Sequence, residues 1–544
     1  MSKTIFETLL KKRGLEQEAV RELFLHPDYA TLADPYLMPD MKKAVTRLKK
    51  AQKNNEKVVI YGDYDIDGLS ATTVLLDAFT SFGIDVSAFI PSRFDDGYGL
   101  SSGALTRLAD LGAQLIVTVD CGSLSIDEVA YAKELGLEVI VTDHHNIGDT
   151  LPDAVAVINP KRKDHTYPFT DYSGVGVAFT LVRALQSVLP GIEKGHEKWL
   201  LDLVALGTVC DIVSLTGENR TVAYWGLKVM SQTRRPGLKA LMAVAGVNVR
   251  ELSAKSLGFG LGPRLNASGR LETAQLSLDL LTATDNEAAL AFAQELDAMN
   301  MQRKKDQNRI FDGAKKQAEK FLKDDVLVLH DPEWSHGIIG IVAAKIVELH
   351  HKPTFVLQEE GGETKGSARS FGDFSVGDAI RYSEKHIIKG GGHTMAAGVS
   401  LETAKIIDFR LSVNEYYASL QLTDQAQHLK AKPDITLSDF KGIDESLVNN
   451  IGLLEPFGND SPQPVFAFEN LTVTDVRKMG DQKQHVKITF RDSKGTQMQC
   501  IAFSAPTHFF VDVGERVTIC ATLDINEWQH RRSVEGRLLA IDKL

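Results

Sequence analysis

The stretch that decides the fold is VVIYGDYDIDGLSATTVLL, residues 58–76. Its first four residues predict a buried strand, and a helical pattern begins near Leu69. The loop between them carries acids at alternate positions, Asp63, Asp65 and Asp67. Such closely spaced carboxylates repel one another unless a cation neutralises them, and oxygen ligands favour Mg²⁺ or Mn²⁺. For this motif alone, the alternative is an acidic turn without a metal.

Four further apolar runs follow the same pattern. Helical stretches separate VSAFI (86–90), LIVTV (115–119), EVIVT (138–142) and AVAVI (154–158). This alternation predicts an α/β fold, in which crossover helices cover both faces of a parallel sheet. Ligands of such sheets bind at the carboxyl ends of the strands.

Acids and histidines follow two of these runs. Asp120 comes directly after LIVTV, and Asp143, His144 and His145 come after EVIVT. We expect these side chains to meet the three acids of the first loop at one edge of the sheet. One imidazole can ligate a metal while its neighbour contacts a substrate phosphate, and a carboxylate can orient the ligating ring.

A fourth motif is LVALGTVCDIVSL (203–215), where Asp211 interrupts an apolar segment that predicts a buried helix over 200–213. A buried carboxylate needs a partner, and a metal ion would serve. A helix cap or an ion pair is the alternative for this residue alone. Together the four motifs predict two divalent ions that activate water and hydrolyse a phosphodiester, with Asp120 as a reasonable bridging ligand.

The rest of the chain predicts a modular protein, because 544 residues are too many for one core. Residues 1–45 read as a polar helical lead-in, and 46–270 as the catalytic α/β domain. Residues 271–322 predict a long connecting helix, and 323–425 a smaller, glycine-rich α/β domain. The short strands of 426–544 predict a β-barrel.

The composition is that of an ordinary globular chain, with 43% hydrophobic and 24% charged residues. No run of about 18 apolar residues occurs, so no membrane helix is expected. The N-terminus lacks the apolar core of a signal peptide, and the four cysteines are scattered without CxxC spacing. Both features favour the cytoplasm. The net charge of −11 argues mildly against nucleic-acid binding, although metal-binding acids contribute to it.

Several motifs carry a specific resemblance. GDYDIDG (62–68), VDCG (119–122), TDHHN (142–146) and ALGTVCDIV (205–213) resemble, in order and spacing, the four motifs of the DHH phosphoesterase superfamily. Further stretches resemble its RecJ family of single-strand-specific DNA exonucleases. These stretches are PSRFDDGYGLS (91–101), GPRLNASGR (262–270), WSHGIIGIVAAKI (334–346), GSARS (366–370), GGGHTMAAG (390–398) and LEPFGNDSPQPVFAF (454–468).

The resemblance implies a DHH domain, a DHHA1 domain and a C-terminal oligonucleotide-binding (OB) barrel. It implies a 5′→3′ exonuclease that releases 5′-mononucleotides from single-stranded DNA in recombination and repair. Two Mn²⁺ or Mg²⁺ ions would be its cofactors. We also expect a monomer that works beside a helicase and a single-strand-binding protein.

The resemblance further assigns roles to residues around the metals. His145 would contact the scissile phosphate, and Asp143 would support the histidines. Other branches of the superfamily carry a histidine at the position of Asp63. The metal ligands it implies are Asp63, Asp65, Asp67, Asp120, His144 and Asp211, of which Asp120 and His144 join His145 as the catalytic set.

Substrate-binding residues are implied outside the metal site. Arg93, Ser367 and Arg369 would hold the 5′ phosphate, since a guanidinium forks onto phosphate oxygens. His393 would lie near a phosphate beside the triple glycine of residues 390–392, with an ordinary glycine turn as the alternative. A last group either binds the DNA backbone or locks the domains together: Arg264, Asn266 and Arg270.

The barrel would hold the strand by base stacking and phosphate contacts. For any one phenylalanine, core packing is the favoured role. The candidate residues are Phe466, Phe468, Phe503 and Trp528, with Lys478, Lys487, Arg531 and Arg532 nearby.

Three other functions were weighed. A DHH enzyme acting on short oligoribonucleotides or cyclic dinucleotides would usually lack the terminal barrel. A family II pyrophosphatase carries a histidine ahead of its acids and is a much shorter chain. A replication scaffold that has lost its activity would lack the metal motifs, and here the whole set is present.

Overall fold

The structure is a computed structural model that describes residues 1–92, 97, 99–271, 273–422, 431–481, 483–528 and 531–544. Its three β-sheets each form the centre of one structural unit. A helical layer joins the first unit to the second, and two N-terminal helices pack against the third. Within the described ranges, no helix is both long and apolar enough to span a bilayer.

The first sheet has five parallel strands in the order β2-β1-β3-β4-β5. The strands are β1 (Val58–Tyr61), β2 (Val86–Phe89), β3 (Leu115–Val119), β4 (Glu138–Thr142) and β5 (Ala156–Ile158). Successive side chains of β1 point to opposite faces, so Val59 and Ile60 join two different apolar cores. The expected parallel sheet with both faces covered is confirmed.

Five helices cover this sheet, with α3, α4 and α7 on one face and α5 and α6 on the other. They are α3 (Met41–Asn54), α4 (Ile66–Ser81), α5 (Ser102–Asp110), α6 (Ile126–Glu134) and α7 (Gly174–Gln186). The α4 helix starts at Ile66, earlier than the expected start near Leu69. The reason is that Asp65 caps it, accepting hydrogen bonds from the amides of Asp67 (2.9 Å) and Gly68 (3.1 Å).

A layer of helices follows the sheet. It contains α8 (Leu201–Cys210), α9 (Gly217–Met230), α10 (Pro236–Val244) and α11 (Gly262–Leu271), and a π-helix, Ser256–Leu261, precedes α11. The α8 helix packs between α4 and α9, and most of its side chains are buried. The buried helix predicted over residues 200–213 is therefore confirmed.

The single connecting helix expected over residues 271–322 is wrong, because the structure divides this segment. It contains α12 (Gln275–Thr282) and the long α13 (Asn286–Ala318). Asp285 separates them by capping α13, where its carboxylate accepts a hydrogen bond from the Ala288 amide at 2.7 Å. The α13 helix alone is about 50 Å long.

The second sheet is mixed, with the order β6-β7-β8-β10-β9 and one parallel pair, β6 and β7. Its strands are β6 (Leu327–Asp331), β7 (Thr354–Glu360), β8 (Glu363–Arg369), β9 (Lys389–Gly392) and β10 (Ala396–Glu402). One face packs on α14 (His336–His350), and the other on α15 (Val376–Tyr382) and α16 (Ile406–Ser419). The smaller α/β unit is confirmed.

The third sheet closes into a five-stranded barrel through the cycle β12-β13-β14-β16-β15-β12, and β11 pairs with β12 outside that cycle. Its elements are β11 (Ile435–Leu437), α17 (Glu445–Gly452), β12 (Phe466–Met479), β13 (His485–Arg491), β14 (Gln497–Ala502), β15 (Arg516–Trp528) and β16 (Arg531–Lys543). The predicted OB-like barrel is confirmed.

The N-terminal helices α1 (Ser2–Lys12) and α2 (Glu18–Leu25) belong to the core of the barrel unit. Leu9 and Leu10 of α1 are buried in it, and Arg13 pairs with Asp434 at 3.2 Å. The sequence predicted a polar helical segment over residues 1–45, but one face of α1 is apolar and packs in the core of the barrel unit. The two ends of the described chain are therefore packed together.

Candidate active site

The four motifs converge at the carboxyl edge of the first sheet. Strands β1, β3 and β4 are neighbours, so the loops that follow them bring Asp63, Asp120 and Asp143 to one place. Asp211 caps the C-terminus of α8, which packs against α4. The acids and histidines therefore meet at one edge of the parallel sheet, as their positions after the strands predicted.

Asp67 is held by the start of a helix. Its side chain is buried, and its two oxygens accept hydrogen bonds from the amides of Gly174 (2.5 Å) and Val175 (2.9 Å) in the first turn of α7. Unpaired amides at a helix N-terminus favour an anion. The sequence analysis missed this contact, although the SGVGVA stretch (173–178) was visible as a helix start rich in small residues.

Three glycines let the carboxylates pack closely. A Cβ built on Gly174 would lie 2.7 Å from Asp120 Oδ1, and one on Gly207 would lie 2.7 Å from Asp67 Oδ1. One on Gly68 would meet the backbone of Asp63 at 2.7 Å. Any larger residue at these positions would displace the acids. The sequence analysis did not identify these glycines.

His144 lies among the acids. Its Nε2 is 3.0 Å from Asp120 Oδ1, 3.6 Å from Asp211 Oδ2 and 3.9 Å from Asp67 Oδ2. This nitrogen is buried and has no hydrogen bond within the described part of the chain. Burial lowers the pKa of His144 to about 3, and the neighbouring His145 adds to this effect. The ring is therefore neutral at physiological pH, the form that binds metals.

Asp143 accepts hydrogen bonds from both histidines. Its Oδ1 accepts hydrogen bonds from the amides of His144 (2.7 Å) and His145 (3.1 Å), and Oδ2 accepts one from the Ser123 amide (2.9 Å). Burial alone would raise the pKa of Asp143, but the hydrogen bonds and His145 lower it below its usual range. The ring Nδ1 of His145 lies 2.9 Å from Asp143 Oδ1, and this contact raises the pKa of His145 despite partial burial.

The acids repel one another in a buried space. Burial, reinforced by Asp65, raises the pKa of Asp67 to about 7, and burial with Asp67 raises that of Asp211 to about 9. Burial and the surrounding acids raise the pKa of Asp120 well above its usual range. These shifts mean that the cluster is unfavourable as a set of free carboxylates and would be stabilised by cations.

The donor atoms fit hard divalent ions. Three overlapping sets each bring their ligand atoms within 4.8 Å of one another. The sets are Asp63 with Asp65 and Asp120, Asp67 with His144 and Asp211, and Asp120 with His144 and His145. Carboxylate oxygens with one or two imidazoles suit Mg²⁺ and Mn²⁺. Asp120 occurs in two sets, as a bridging ligand would.

The second unit contributes a cation near its sheet edge. In β8, the guanidinium of Arg369 donates to Ala368 O (2.8 Å) and Ser367 Oγ (3.3 Å). A Cβ on Gly340 of α14 would lie 2.9 Å from Ser367 Oγ and 3.2 Å from Arg369 Nη2, so that glycine keeps both groups accessible. Burial lowers the pKa of Arg369. We call Ser367 and Arg369 the arginine pocket.

The other predicted substrate residues divide into three cases. Arg93 lies outside the described residues. His393 is exposed in the turn between β9 and β10. Arg264 pairs with Asp297 of α13 at 2.8 Å, and Arg270 donates to Gly337 O of α14 at 3.0 Å, so both hold neighbouring helices together.

A cavity of about 950 Å³ lies beside the acid cluster. Ile66 and Cys210, each next to a predicted ligand, line one end, and Arg537 of the barrel lines it too. Asn266 and Arg303 belong to its helical wall. The cavity therefore reaches from the acids to the barrel.

The barrel candidates have different environments. Phe466 and Phe468 are fully buried in the core of the barrel, which is the role favoured from the sequence, so these two candidates do not stack on bases. Phe503 is 56% exposed and lies beside the cavity-lining Arg537, whose guanidinium carbon is 5.9 Å from the ring centre. The side chain of Trp528 lies outside the described ones.

The basic candidates of the barrel are mostly engaged. Lys487 pairs with Glu535 at 2.5 Å, and Arg532 lies 3.7 Å from Glu445. The ammonium of Lys478 lies 5.0 Å from the ring centre of Phe510. Arg531 is exposed.

Family models match three parts of the chain. The DHH family N-terminal domain matches residues 57–208, the DHHA1 domain matches 323–419, and the RecJ OB domain matches 434–539. These parts coincide with the three sheets.

Curated relatives and solved structures agree with the family models. The single-stranded-DNA-specific exonuclease RecJ of Bacillus subtilis is 38% identical over 96% of this chain and 66% of its own length. This chain therefore spans just under two thirds of that relative. The RecJ of Haemophilus influenzae is 33% identical over 93% of this chain and 91% of its own.

The structure of Thermus thermophilus RecJ in complex with Mn²⁺ is 27% identical and aligns with a TM-score of 0.84 over 99% of this chain and 75% of its own. The complex of the same protein with Mg²⁺ aligns with a TM-score of 0.77 over 99% of this chain and 74% of its own. The chain belongs to the RecJ family of metal-dependent, single-stranded-DNA-specific exonucleases.

Proposed function

We propose that this chain degrades single-stranded DNA from the 5′ end, releasing 5′-mononucleotides by hydrolysis with two Mn²⁺ or Mg²⁺ ions. The observation that carries the proposal is the buried cluster of acids around His144, and residues that adjoin two of its members, Ile66 and Cys210, line a cavity of about 950 Å³. The relatives named as exonucleases and solved with these two metals support it.

The ligands we assign are the six residues predicted from the sequence, Asp63, Asp65, Asp67, Asp120, His144 and Asp211. Bound there, two divalent ions would supply an activated water and neutralise charge on the phosphoryl oxygens. The protein contributes rigidity, because the amides of α7 fix Asp67 and Asp143 fixes the backbone of both histidines.

We assign to His145 the binding of the phosphate that reacts. Its ring is partly exposed, and its contact with Asp143 raises its pKa, which favours the protonated form. A protonated imidazole can donate a charge-assisted hydrogen bond to a phosphoryl oxygen. His144 remains neutral in the same cluster, so the two adjacent histidines take different roles.

The arginine pocket supports the proposed direction. Ser367 and Arg369 offer a hydroxyl and a guanidinium for a terminal phosphate. Gly340 leaves space above them. A 5′ phosphate held there would present the first phosphodiester bond to the metals, so digestion would proceed 5′→3′.

The proposed biological role is DNA recombination and repair. We expect the chain to digest strands that a helicase has separated and that a single-strand-binding protein covers. This role rests on family membership.

One experiment tests polymer class, direction and metal dependence together. Single-stranded DNA labelled at its 5′ or 3′ end is digested with Mn²⁺, with Mg²⁺ and with chelator, and a duplex and an RNA strand serve as comparisons. We expect the 5′ label to appear at once as mononucleotide, while the 3′ label passes through a ladder of shortened strands. Early release of the 3′ label as mononucleotide would reject the direction, and digestion under chelation would reject the metal mechanism.

A further inference from the structure

Arg303 of the long helix α13 is a buried arginine in an unusual environment. Its side chain is 8% exposed, and its two terminal nitrogens donate only to neutral amides, Gln307 Oε1 at 3.0 Å and Asn300 Oδ1 at 2.9 Å. Its Nε has no hydrogen-bond partner within the described part of the chain. Burial lowers its pKa.

Two partly buried arginines of neighbouring helices are paired with carboxylates, whereas the buried Arg220 of α9 donates to three backbone carbonyls. Arg264 pairs with Asp297 at 2.8 Å, and Arg235 pairs with Asp77 at 2.6 Å and with Asp202 at 3.3 Å. A buried charge without a counterion is costly to a fold. Within the described residues, the terminal nitrogens of Arg303 have neither a carboxylate nor a backbone carbonyl as acceptor, and only two side-chain amides fill that role.

The location of Arg303 indicates the source of a counterion. Arg303 is one of the residues that line the cavity, together with Ile66 and Cys210, which adjoin predicted metal ligands, and Arg537 of the barrel. Asn266 of α11 lines the same wall. A DNA strand that runs from the barrel to the acid cluster passes through this space, and its backbone carries a phosphate at every nucleotide.

We propose that Arg303 binds a backbone phosphate of the single strand inside this cavity, and that Asn300 and Gln307 are positioning residues that orient its guanidinium. The proposal rests on the proposed function, since it assumes that the cavity holds DNA. It adds a phosphate-binding residue to the interdomain helix, apart from the metal cluster and the arginine pocket.

The substitution Asn300→Asp tests this proposal sharply. It places a carboxylate where the amide oxygen now accepts from Arg303, with almost no change of shape. The Nδ2 of Asn300, which it removes, has no hydrogen-bond partner in the described structure, so no native bond is lost. In both cases the new carboxylate would form a salt bridge with Arg303. If the role of Arg303 is purely structural, DNA binding should not change. If Arg303 binds a phosphate, the salt bridge would neutralise its charge and weaken DNA binding.

The measurement is the affinity for oligo-dT in chelator, from fluorescence anisotropy over a series of salt concentrations. One phosphate contact contributes about 0.7 to the slope of log affinity against log salt for a single strand. We expect Asn300→Asp to reduce the slope by about that amount and to weaken binding roughly tenfold at low salt. Arg303→Met should give the same slope change.

The matched control is Asn308→Asp, which makes the same charge change at an exposed position of the same helix. We expect its slope to equal that of the wild type. An Asn300→Asp protein that melts at or above the wild-type temperature and binds DNA with an unchanged slope would overturn the proposal. If the wild-type protein itself showed no salt-dependent binding of single strands, the proposed function would fail, a result distinct from failure of Arg303 alone.

Discussion

The acid cluster and the arginine pocket differ in how the fold prepares them. The carboxylates are buried at the ends of strands and helices, where glycines and the amides of α7 fix them and their mutual repulsion raises their pKa values. Arg369 is fixed mainly by its own strand, through Ala368 O and Ser367 Oγ. The fold therefore fixes the acid cluster through contacts from several elements, whereas the proposed phosphate-binding arginine is held mainly by its own strand.

The largest effect should come from the acid cluster. Asp120→Asn removes a ligand that two of the candidate sets share. We expect at least a roughly thousandfold loss of Mn²⁺-dependent digestion, because metal coordination supplies several kcal/mol to such transition states. The chelated protein should keep or raise its melting temperature, because one buried charge is gone. The exposed Asp149→Asn is the control, and near-normal digestion by Asp120→Asn would reject the cluster as the active centre.

The cluster should also make metal-free stability depend on pH. The pKa of Asp67 is raised to about 7 and that of Asp211 to about 9, both above the values of an unfolded chain. Stability from the neutral carboxyls is therefore present at low pH and lost as the pH rises through these values. In chelator, the two groups should make the melting temperature fall from about pH 4, where free carboxyls ionise, to about pH 9, and most steeply below about pH 7, where both contribute. Mn²⁺ should raise the melting temperature most at the alkaline end. A flat profile would contradict this account.

The arginine pocket should show a smaller and more selective effect. Arg369→Ala removes a charged hydrogen-bond donor, which corresponds to about ten- to hundredfold in affinity. We expect that loss on 5′-phosphorylated strands and little change on 5′-hydroxyl strands. The exposed Arg381→Ala of the same unit is the control for lost charge. If the ratio of the affinities for 5′-phosphorylated and 5′-hydroxyl strands is the same in wild type and Arg369→Ala, the arginine pocket does not bind the 5′ phosphate.

The smallest effect should come from the barrel surface. Phe503→Ala removes an exposed ring beside Arg537, and one stacked base is worth about 1 kcal/mol or more, or roughly fivefold in affinity. Long strands should bind more weakly, while short ones are unaffected. The exposed Val513→Ala serves as control. A Phe503→Ala protein with unchanged affinity for long strands would exclude this ring as a stacking platform.

The sequence predicted the fold and the cluster well, for physical reasons. Buried parallel strands are apolar throughout, and acids directly after them lie at one edge, so Asp120 and Asp143 could be placed without a structure. The motif resemblance supplied the second unit and the barrel. The exact domain limits and the individual ligand roles stay predictions.

Other features could not be predicted, because they depend on contacts between distant segments. A strand phenylalanine such as Phe468 has the same local pattern whether it faces the core or a base. The bonds from Gly174 to Asp67 join residues that are 107 apart in sequence. Arg303 belonged to a run of basic residues, and only its burial separated it from Lys304 and Lys305.

The packing of α1 into the barrel core has a consequence for synthesis of the protein. Arg13 and Asp434 are separated by 421 positions, so the apolar face of α1 leaves the ribosome long before its partner exists. At about 5–20 residues per second, the helix waits roughly 20 to 80 seconds. During that interval its leucines are available to chaperones and to other nascent chains. The third unit thus completes its core only after the strands of the barrel have been synthesised.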